Sequence, residues 1–397
     1  MKISNVYIGG WFQRTMLQLS EIYDFLREAK TQLALDQDKL IEFRKNLQIG
    51  KIDYGVQGEE FIEFTTALNI KVKIFEDGLI VLNNHNVSED TLFADIDVLT
   101  DYYENRLSPA FSYLFSLGAP VPKELAHIET VYPYFVISDN ATKEEMNALL
   151  SRTDKQKYFE FDNEKYDVIR GDVYYFINNK KSKLENIERY VEEQIFIREF
   201  KGQLHRYLNL HRIIWEKIDN VKERASVKGA DILAFNTKLD SYAKTITLIE
   251  GRINQMSTYL PTREKIAKND KELSEFLSIS GFRYETLKDT LDYIKHLWSM
   301  TKNYVSSAQK LFSGLKSDVN SKSINNLTLV TSMSAGTSII SLLTKSEPQF
   351  TTFGIKYFFI LAILVFILNK GLKAIQNYRR YKINDSGLDK DIKFDDK

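Results

Sequence analysis

Five histidines, His85, His127, His205, His211 and His296, are the side chains best suited to metal ligation or proton transfer, and they are scattered along the chain. His205 and His211 stand six apart, which on a helix puts them on different faces and gives no metal-ligand spacing. The chain holds no cysteine. That excludes a thiolate zinc site, a disulfide framework and a cysteine nucleophile, and accords with folding in a reducing compartment. No phosphate loop of the form G-x-x-x-x-G-K-S/T occurs: Gly50, Gly55 and Gly58 lead into no such motif, and Gly9-Gly10 lacks the G-x-G-x-x-G pattern. Asp95 and Asp97 read as a solvated helix start rather than a cation site. Without a nucleophile elbow, an H-E-x-x-H motif or paired carboxylates, the chain reads as a non-enzyme with no catalytic residue and no metal ligand.

Two aromatic and basic segments could stack and ion-pair with a nucleotide. One is Tyr7–Arg14 (YIGGWFQR), with Trp11 and Arg14; the other is Arg106 beside SPAFSYLFSLGAPVP. A core strand and a core helix account for both, and that is the preferred reading. A third set is polar and uncharged. Asn325, Thr328, Ser332 and Ala335 fall at helical spacing on one face, with Thr331 and Ser338 beside them. Small polar residues in one stripe could line a water-filled pore. Close helix packing through small residues such as Ala335 and Gly336 explains the same stripe.

The elements that would position these residues are readable from hydropathy and periodicity. No charge falls between Lys322 and Lys345, and Ile324–Thr344 is long enough to cross a hydrocarbon core of roughly 30 Å as a helix. A second run, Tyr357–Asn369 (YFFILAILVFILN), extends back to Phe350 with Lys356 able to snorkel. Pro348 breaks the short connection. Lys316, Lys322, Lys370, Lys373, Arg379, Arg380 and Lys382 flank the open ends, which predicts both termini on the cytoplasmic side of the inner membrane. The N-terminus carries no secretory signal pattern.

Upstream, Ile232, Phe235, Leu239, Tyr242, Ile246, Ile249, Ile253, Met256 and Leu260 alternate in threes and fours, and Pro261 is expected to end that helix. Tyr284, Leu287, Leu291, Ile294, Trp298, Thr301, Val305, Ala308, Phe312, Leu315 and Val319 repeat the pattern, the seam of a heptad coiled coil. An unbroken helix over Arg263–Val319 would reach roughly 85 Å. An ordinary intramolecular bundle would produce the same seams. The first part of the chain is α+β: Asp77-Gly78 between Ile70–Phe75 and Leu79–Asn83 signals a hairpin. Thr130–Ile137 reads as a strand placed at an edge or bulge by Pro133. Tyr158–Phe161, Tyr166–Ile169 and Val173–Ile177 read as a meander, and helices fit Thr15–Ala29, Leu92–Asn105 and Lys143–Leu150.

The fold class expected is therefore a mixed α+β N-terminal cytoplasmic domain, a long helical coiled-coil stalk and a C-terminal two-helix transmembrane hairpin. The boundaries are 1–180 for the mixed domain, 181–262 for long antiparallel helices and 263–322 for the stalk. The transmembrane pair spans 323–374, with helices at 324–344 and 352–372, and 375–397 is a basic and mixed tail. Lys+Arg and Asp+Glu balance at 54 each, so no direct DNA or RNA binding is expected.

This order resembles the CorA family of divalent-cation channels. In residues the resemblance is confined to Ser323-Ile-Asn-Asn-Leu-Thr-Leu-Val-Thr331, which looks like the Asn-bearing entry of the CorA pore helix. It implies a homopentamer in the membrane, a divalent cation as the permeant ion, and Asn325, Thr328, Ser332 and Ala335 facing a pore. The chain departs from the family where that helix ends: Ser341-Leu-Leu-Thr-Lys-Ser-Glu347 stands in place of Gly-Met-Asn. A body without that motif is similar to a divergent branch of CorA-like proteins associated with type III CRISPR systems, which implies a membrane effector opened by a nucleotide second messenger. A membrane-anchored coiled-coil scaffold and a divalent metal (Mg) transporter are the alternatives.

Overall fold

The structure, a computed structural model, describes the chain apart from residues 13–16, 57–58, 86, 116–132, 154–155, 223, 225, 270, 344–351 and 384–397, and apart from some side chains within 271–282, 323–343 and 352–362. It divides into two units, residues 1–209 with 248–297, and residues 210–247 with 298–397.

The first unit is built on one nine-stranded sheet of order β2-β3-β4-β5-β1-β6-β9-β8-β7. Two strand–helix–meander halves meet in it. The first half is β1 (Lys2–Trp11), α1 (Leu19–Glu28), α2 (Gln37–Asn46), β2 (Ile49–Val56), β3 (Glu60–Thr66), β4 (Lys71–Phe75) and β5 (Leu79–His85). Helix α3 (Leu92–Asp101), a π-helical turn (Tyr102–Leu107) and α4 (Ser108–Phe115) follow. The second half is β6 (Tyr134–Asp139), α5 (Lys143–Thr153), β7 (Lys157–Asp162), β8 (Tyr166–Gly171) and β9 (Tyr174–Asn179). The opening strands β1 and β6 pair antiparallel at the centre. A four-stranded meander brings β5 back antiparallel to β1, whereas a three-stranded one brings β9 back parallel to β6.

Period-two alternation gives the sheet two faces. Val6, Ile8, Ile62, Phe64, Val72, Ile74, Val136 and Phe176 join Phe25, Leu26, Leu40, Leu99, Phe111 and Met146 of the helices in one core. Each such side chain contributes about 1.5–3 kcal/mol on burial. A bulge between Ile3 and Asn5 resets the alternation, so Ile3 shares that core while Asn5, Tyr7, Gly9 and Trp11 face the other way. The opposite face is covered by α6 (Leu184–Lys222), where Tyr7 donates to Glu188 at 2.9 Å and Lys73 pairs with Glu192 at 2.8 Å. Gly9 is closely approached by α6 and the neighbouring strand: a Cβ there would stand 2.5 Å from the Ile80 carbonyl oxygen and 3.0 Å from Ile195.

Strand β10 (Ser226–Lys228) precedes α7 (Gly229–Asn269), and α8 (Lys271–Leu343), α9 (Thr352–Tyr378) and β11 (Arg380–Lys382) complete the described chain, α7 and α8 each contributing residues to both units. Strands β10 and β11 pair antiparallel, and Gly229 donates its N–H to Arg379. Trp215 stacks on Tyr304 with ring centroids 4.4 Å apart, and Phe235 meets Phe312.

Several expectations change. Among the described residues no helix is long and apolar enough to cross a membrane. The expected transmembrane hairpin is therefore overturned, and the inner-membrane placement with cytoplasmic termini loses the basis it rested on. The physical reason lies in the sequence. The end of α8 dilutes its apolar residues with Ser, Thr and Asn, and the apolar run of α9 is closed in by Lys356 on one side and Asn369 and Lys370 on the other. The twelve residues between those limits, 357–368, rise about 18 Å as a helix, short of a roughly 30 Å core. The connection carrying Lys345, Glu347 and Pro348 lies outside the described residues.

Pro261 does not end its helix, because α7 continues through it to Asn269. Pro133 does not mark an edge: β6 is an interior strand, and the proline precedes it, so no ladder hydrogen bond is removed. The helix expected from Leu92 is interrupted by the π-helical turn. Both heptad-like seams are covered within the chain, from Ile232 to Leu260 and from Tyr284 to Phe312, with Thr301 fully buried among the second.

Candidate functional site

Trp11 is a buried packing residue. Its ring meets Phe196, Phe200 and Tyr259, and its indole N–H donates to the Asp77 carbonyl at 2.9 Å. Arg106 is half-buried in the π-helical turn, its guanidinium 5.9 Å from the Tyr102 ring, and Tyr102 belongs to the core of the other sheet face. The structure does not bring these two residues together, and Arg14 lies outside the described residues. Asp95 accepts from Asn84 at 2.8 Å. His211 packs between Trp215 and Trp298.

Asn325, Thr328, Thr331, Ser332 and Ala335 are all exposed on α8. Thr328 donates to the Ile324 carbonyl at 2.9 Å and Thr331 to the Thr328 carbonyl at 3.0 Å, so both hydroxyls are satisfied along their own helix. The Ser338 side chain lies outside the described residues. On α9, Phe359, Ile360, Ile363, Leu364, Phe366 and Ile367 are each 54–62% exposed. At 100° per residue these positions cover about half of the helix circumference.

A buried charge cluster sits between the sheet and the long helices of the first unit. Arg263 on α7 donates to Asp77 through Nε at 2.7 Å and Nη2 at 3.0 Å, and also pairs with Glu59. Asp77 is held in place by its own turn, since its carboxylate accepts from the Leu79 N–H at 2.9 Å and Gly78 beside it takes φ 94°. Glu192 and Glu193 enter from α6, and Lys73 from β4. Four carboxylates thus face two cations. Burial opposes the charge on Arg263, but Asp77 and Glu59 more than offset it and hold its proton firmly. The excess falls on the carboxyls: burial pushes Glu193 up to about 8, and Glu59 likewise to about 8 despite its Arg263 partner. Glu192 is raised by burial and drawn back by Lys73. One oxygen of Glu193 is buried without a hydrogen-bond partner. Burial thus favours the protonated form of Glu59 and Glu193.

Reading the sequence alone missed this cluster, because Asp77 and Arg263 are 186 positions apart. The one available signal was Glu192-Glu193 inside an otherwise apolar stretch of α6. No protein-family model matches the chain, and no curated protein matches it.

Proposed function

We propose that this protein is a non-catalytic effector that works as a homo-oligomer, assembled through the apolar face of α9. The observation that supports this is the row Ile360, Ile363, Leu364, Phe366 and Ile367, exposed among the described residues. Scattered apolar side chains are ordinary on a protein surface, but a contiguous patch of this kind marks an interaction surface. Burying each of these side chains against a second copy contributes about 1.5–3 kcal/mol before the costs of association. The exposed stripe of Asn325, Thr328, Ser332 and Ala335 on α8 belongs to the same unit and offers small residues for close helix approach. The proposal concerns assembly, not ion conduction.

Native mass spectrometry of the full chain in detergent-free ammonium acetate tests it. A single closed oligomer is expected, together with its dissociation by Ile363→Glu combined with Ile367→Glu while helical circular dichroism is unchanged. A wild-type monomer at micromolar concentration rejects the proposal.

A further inference from the structure

Lys+Arg and Asp+Glu balance at 54 each over the whole chain, and the expectation of no nucleic-acid binding rested on that balance. It does not hold locally. Among the described residues from Trp298 to Ile383, Asp318 is the one carboxylate. The cations of this segment include Lys322 on α8, Lys373 on α9 and the run Arg379-Arg380-Tyr381-Lys382 that forms β11.

Tertiary structure gathers them. Strand β11 pairs with β10, which sets Arg380 directly across from Lys228 and Lys382 across from Ser226. These four side chains share one face of the ribbon, because alternate residues of a strand point the same way. Lys228, Arg380 and Lys382 are exposed there, while Val227 and Tyr381 between them are buried on the other face. Lys322 reaches the ribbon from α8, its ammonium 5.5 Å from the Tyr381 ring centroid. The ribbon is fixed to the end of α9: the Gly229 N–H donates to the Arg379 carbonyl at 3.1 Å, and the Arg379 N–H donates to the Ile375 carbonyl at 2.9 Å. The backbone that carries the cations is therefore ordered before any ligand arrives.

Like charges directly opposite on neighbouring strands destabilise a ladder. Lys228 and Arg380 stand in that relation. Neither they nor Lys322, Lys373 and Lys382 have an ion-pair partner among the described residues, and Asp231 and Asp318, the carboxylates adjoining them in sequence, pair with none of them. An anion whose charges repeat along a chain relieves this repulsion, and release of its counterions adds to the gain. Tyr378, 78% exposed, stands immediately before Arg379. An aromatic ring beside a row of cations offers a face on which an unpaired base stacks. A lipid headgroup supplies no planar ring to meet it.

We infer that the β10–β11 ribbon binds single-stranded nucleic acid, with Lys228, Arg380 and Lys382 on its phosphates and Tyr378 against a base. This is independent of the assembly proposed above. The residues after Ile383 with Asp385 and Asp389 lie outside the described residues, so the binding is to be measured on the full chain.

Fluorescence anisotropy of a labelled oligouridine of about 20 nucleotides, long enough to span one site, tests it. Saturable binding with a Kd of about 1–100 μM at about 0.1 M salt is expected, weakening as salt rises. The variant carrying Lys228→Gln, Arg380→Gln and Lys382→Gln is expected to bind about tenfold or more weakly. It is also expected to lower the slope of log K against log salt by about two, the share of three phosphate contacts at about 0.7 each. Circular dichroism and a melting temperature at or above that of wild type, which loss of the cross-strand repulsion predicts, establish that it is folded. Arg380→Gln alone, with the slope lowered by about 0.7, serves if the triple variant does not fold. Tyr378→Ala is expected to weaken binding of the oligouridine and to leave that of a DNA duplex of the same length unchanged. A wild type that does not bind the oligouridine overturns the inference, and so does binding that the three substitutions leave intact. A duplex bound as tightly as the single strand, with no effect of Tyr378→Ala, overturns the single-strand assignment. Binding to phosphatidylglycerol vesicles without binding to the oligouridine makes the ribbon a lipid-surface site and overturns the inference as well.

Discussion

Arg263 and Asp77, 186 residues apart, form a bidentate pair with contacts of 2.7 and 3.0 Å in which both side chains are almost fully buried. The pair ties α7 to the β4–β5 turn, whose carboxylate also fixes the Leu79 N–H and whose carbonyl receives the Trp11 indole. Removing Asp77 takes the bidentate partner from a buried guanidinium, leaving Glu59 as its remaining ion pair. Asp77→Ala is therefore expected to destabilise the protein by about 3–5 kcal/mol. A urea titration followed by tryptophan fluorescence reads this directly. A midpoint unchanged from wild type would show that the pair does not hold the helix to the sheet.

The protons held by Glu59 and Glu193 make stability depend on pH. Both carboxyls titrate near 4.5 in the unfolded chain and near 8 when folded. Between those values the folded state binds more protons than the unfolded state, so stability falls as pH rises. Full stabilisation is present below about 4.5 and is lost on passing about 8. The slope is about 1.4 kcal/mol per pH unit for each carboxyl. Glu193→Gln is expected to flatten the dependence of the urea midpoint between pH 5 and 8 and to raise the midpoint at pH 8. Parallel curves for the two proteins would refute the assignment.

Gly9 is required by the approach of α6 and of the neighbouring strand. In Gly9→Ala the new Cβ would lie 2.5 Å from a backbone oxygen, that of Ile80, which cannot move without disturbing the β1–β5 ladder. Overpacking of this kind costs about 1–3 kcal/mol. Gly202, with open space around it, serves as the control. Gly202→Ala is expected to leave stability unchanged or slightly raised, because alanine favours the helix. Thermal melts of the two variants distinguish them.

In the second unit the stack of Trp215 on Tyr304 is reinforced by Lys222, 4.1 Å from the Tyr304 ring centroid, and by a 2.9 Å hydrogen bond from Tyr304 to Asp219. Tyr304→Leu removes ring stacking, cation–π contact and hydrogen bond together. A loss of about 1–3 kcal/mol is expected. Tyr304→Phe, which keeps the rings, is expected to lose about 0.5–1.5 kcal/mol, the worth of the hydrogen bond. Equal effects in the two variants would show that the stack contributes nothing.

Local signals in the sequence served well where one strand or one helix decides its own conformation. The Asp77-Gly78 hairpin is found as read, because a tight turn needs a glycine with positive φ and the flanking β-branched residues need no distant partner. The meander of β7, β8 and β9 and helix α5 follow from the same local logic. Strands β2 and β3 went unread, since Ile49–Val56 breaks its apolar residues with two glycines, Lys51 and Asp53, has no buried position, and becomes a strand by pairing with β3. At the C-terminus, hydropathy suggested two membrane spans, whereas among the described residues no helix is long and apolar enough to cross a membrane.

What the sequence by itself determined is the mixed first part, the two seams with their three–four spacing, and the absence of any cysteine chemistry. Each depends on side-chain type and short-range periodicity alone. The tertiary structure decided which residues share a site. The pairing of β10 with β11 set Lys228 opposite Arg380. The crossing of α6 over the nine-stranded sheet buried Glu192 and Glu193 beside Lys73 and Arg263. Burial, which favours the protonated form of ordinary carboxyls, is a property of the packed chain. No spacing along the sequence encodes it.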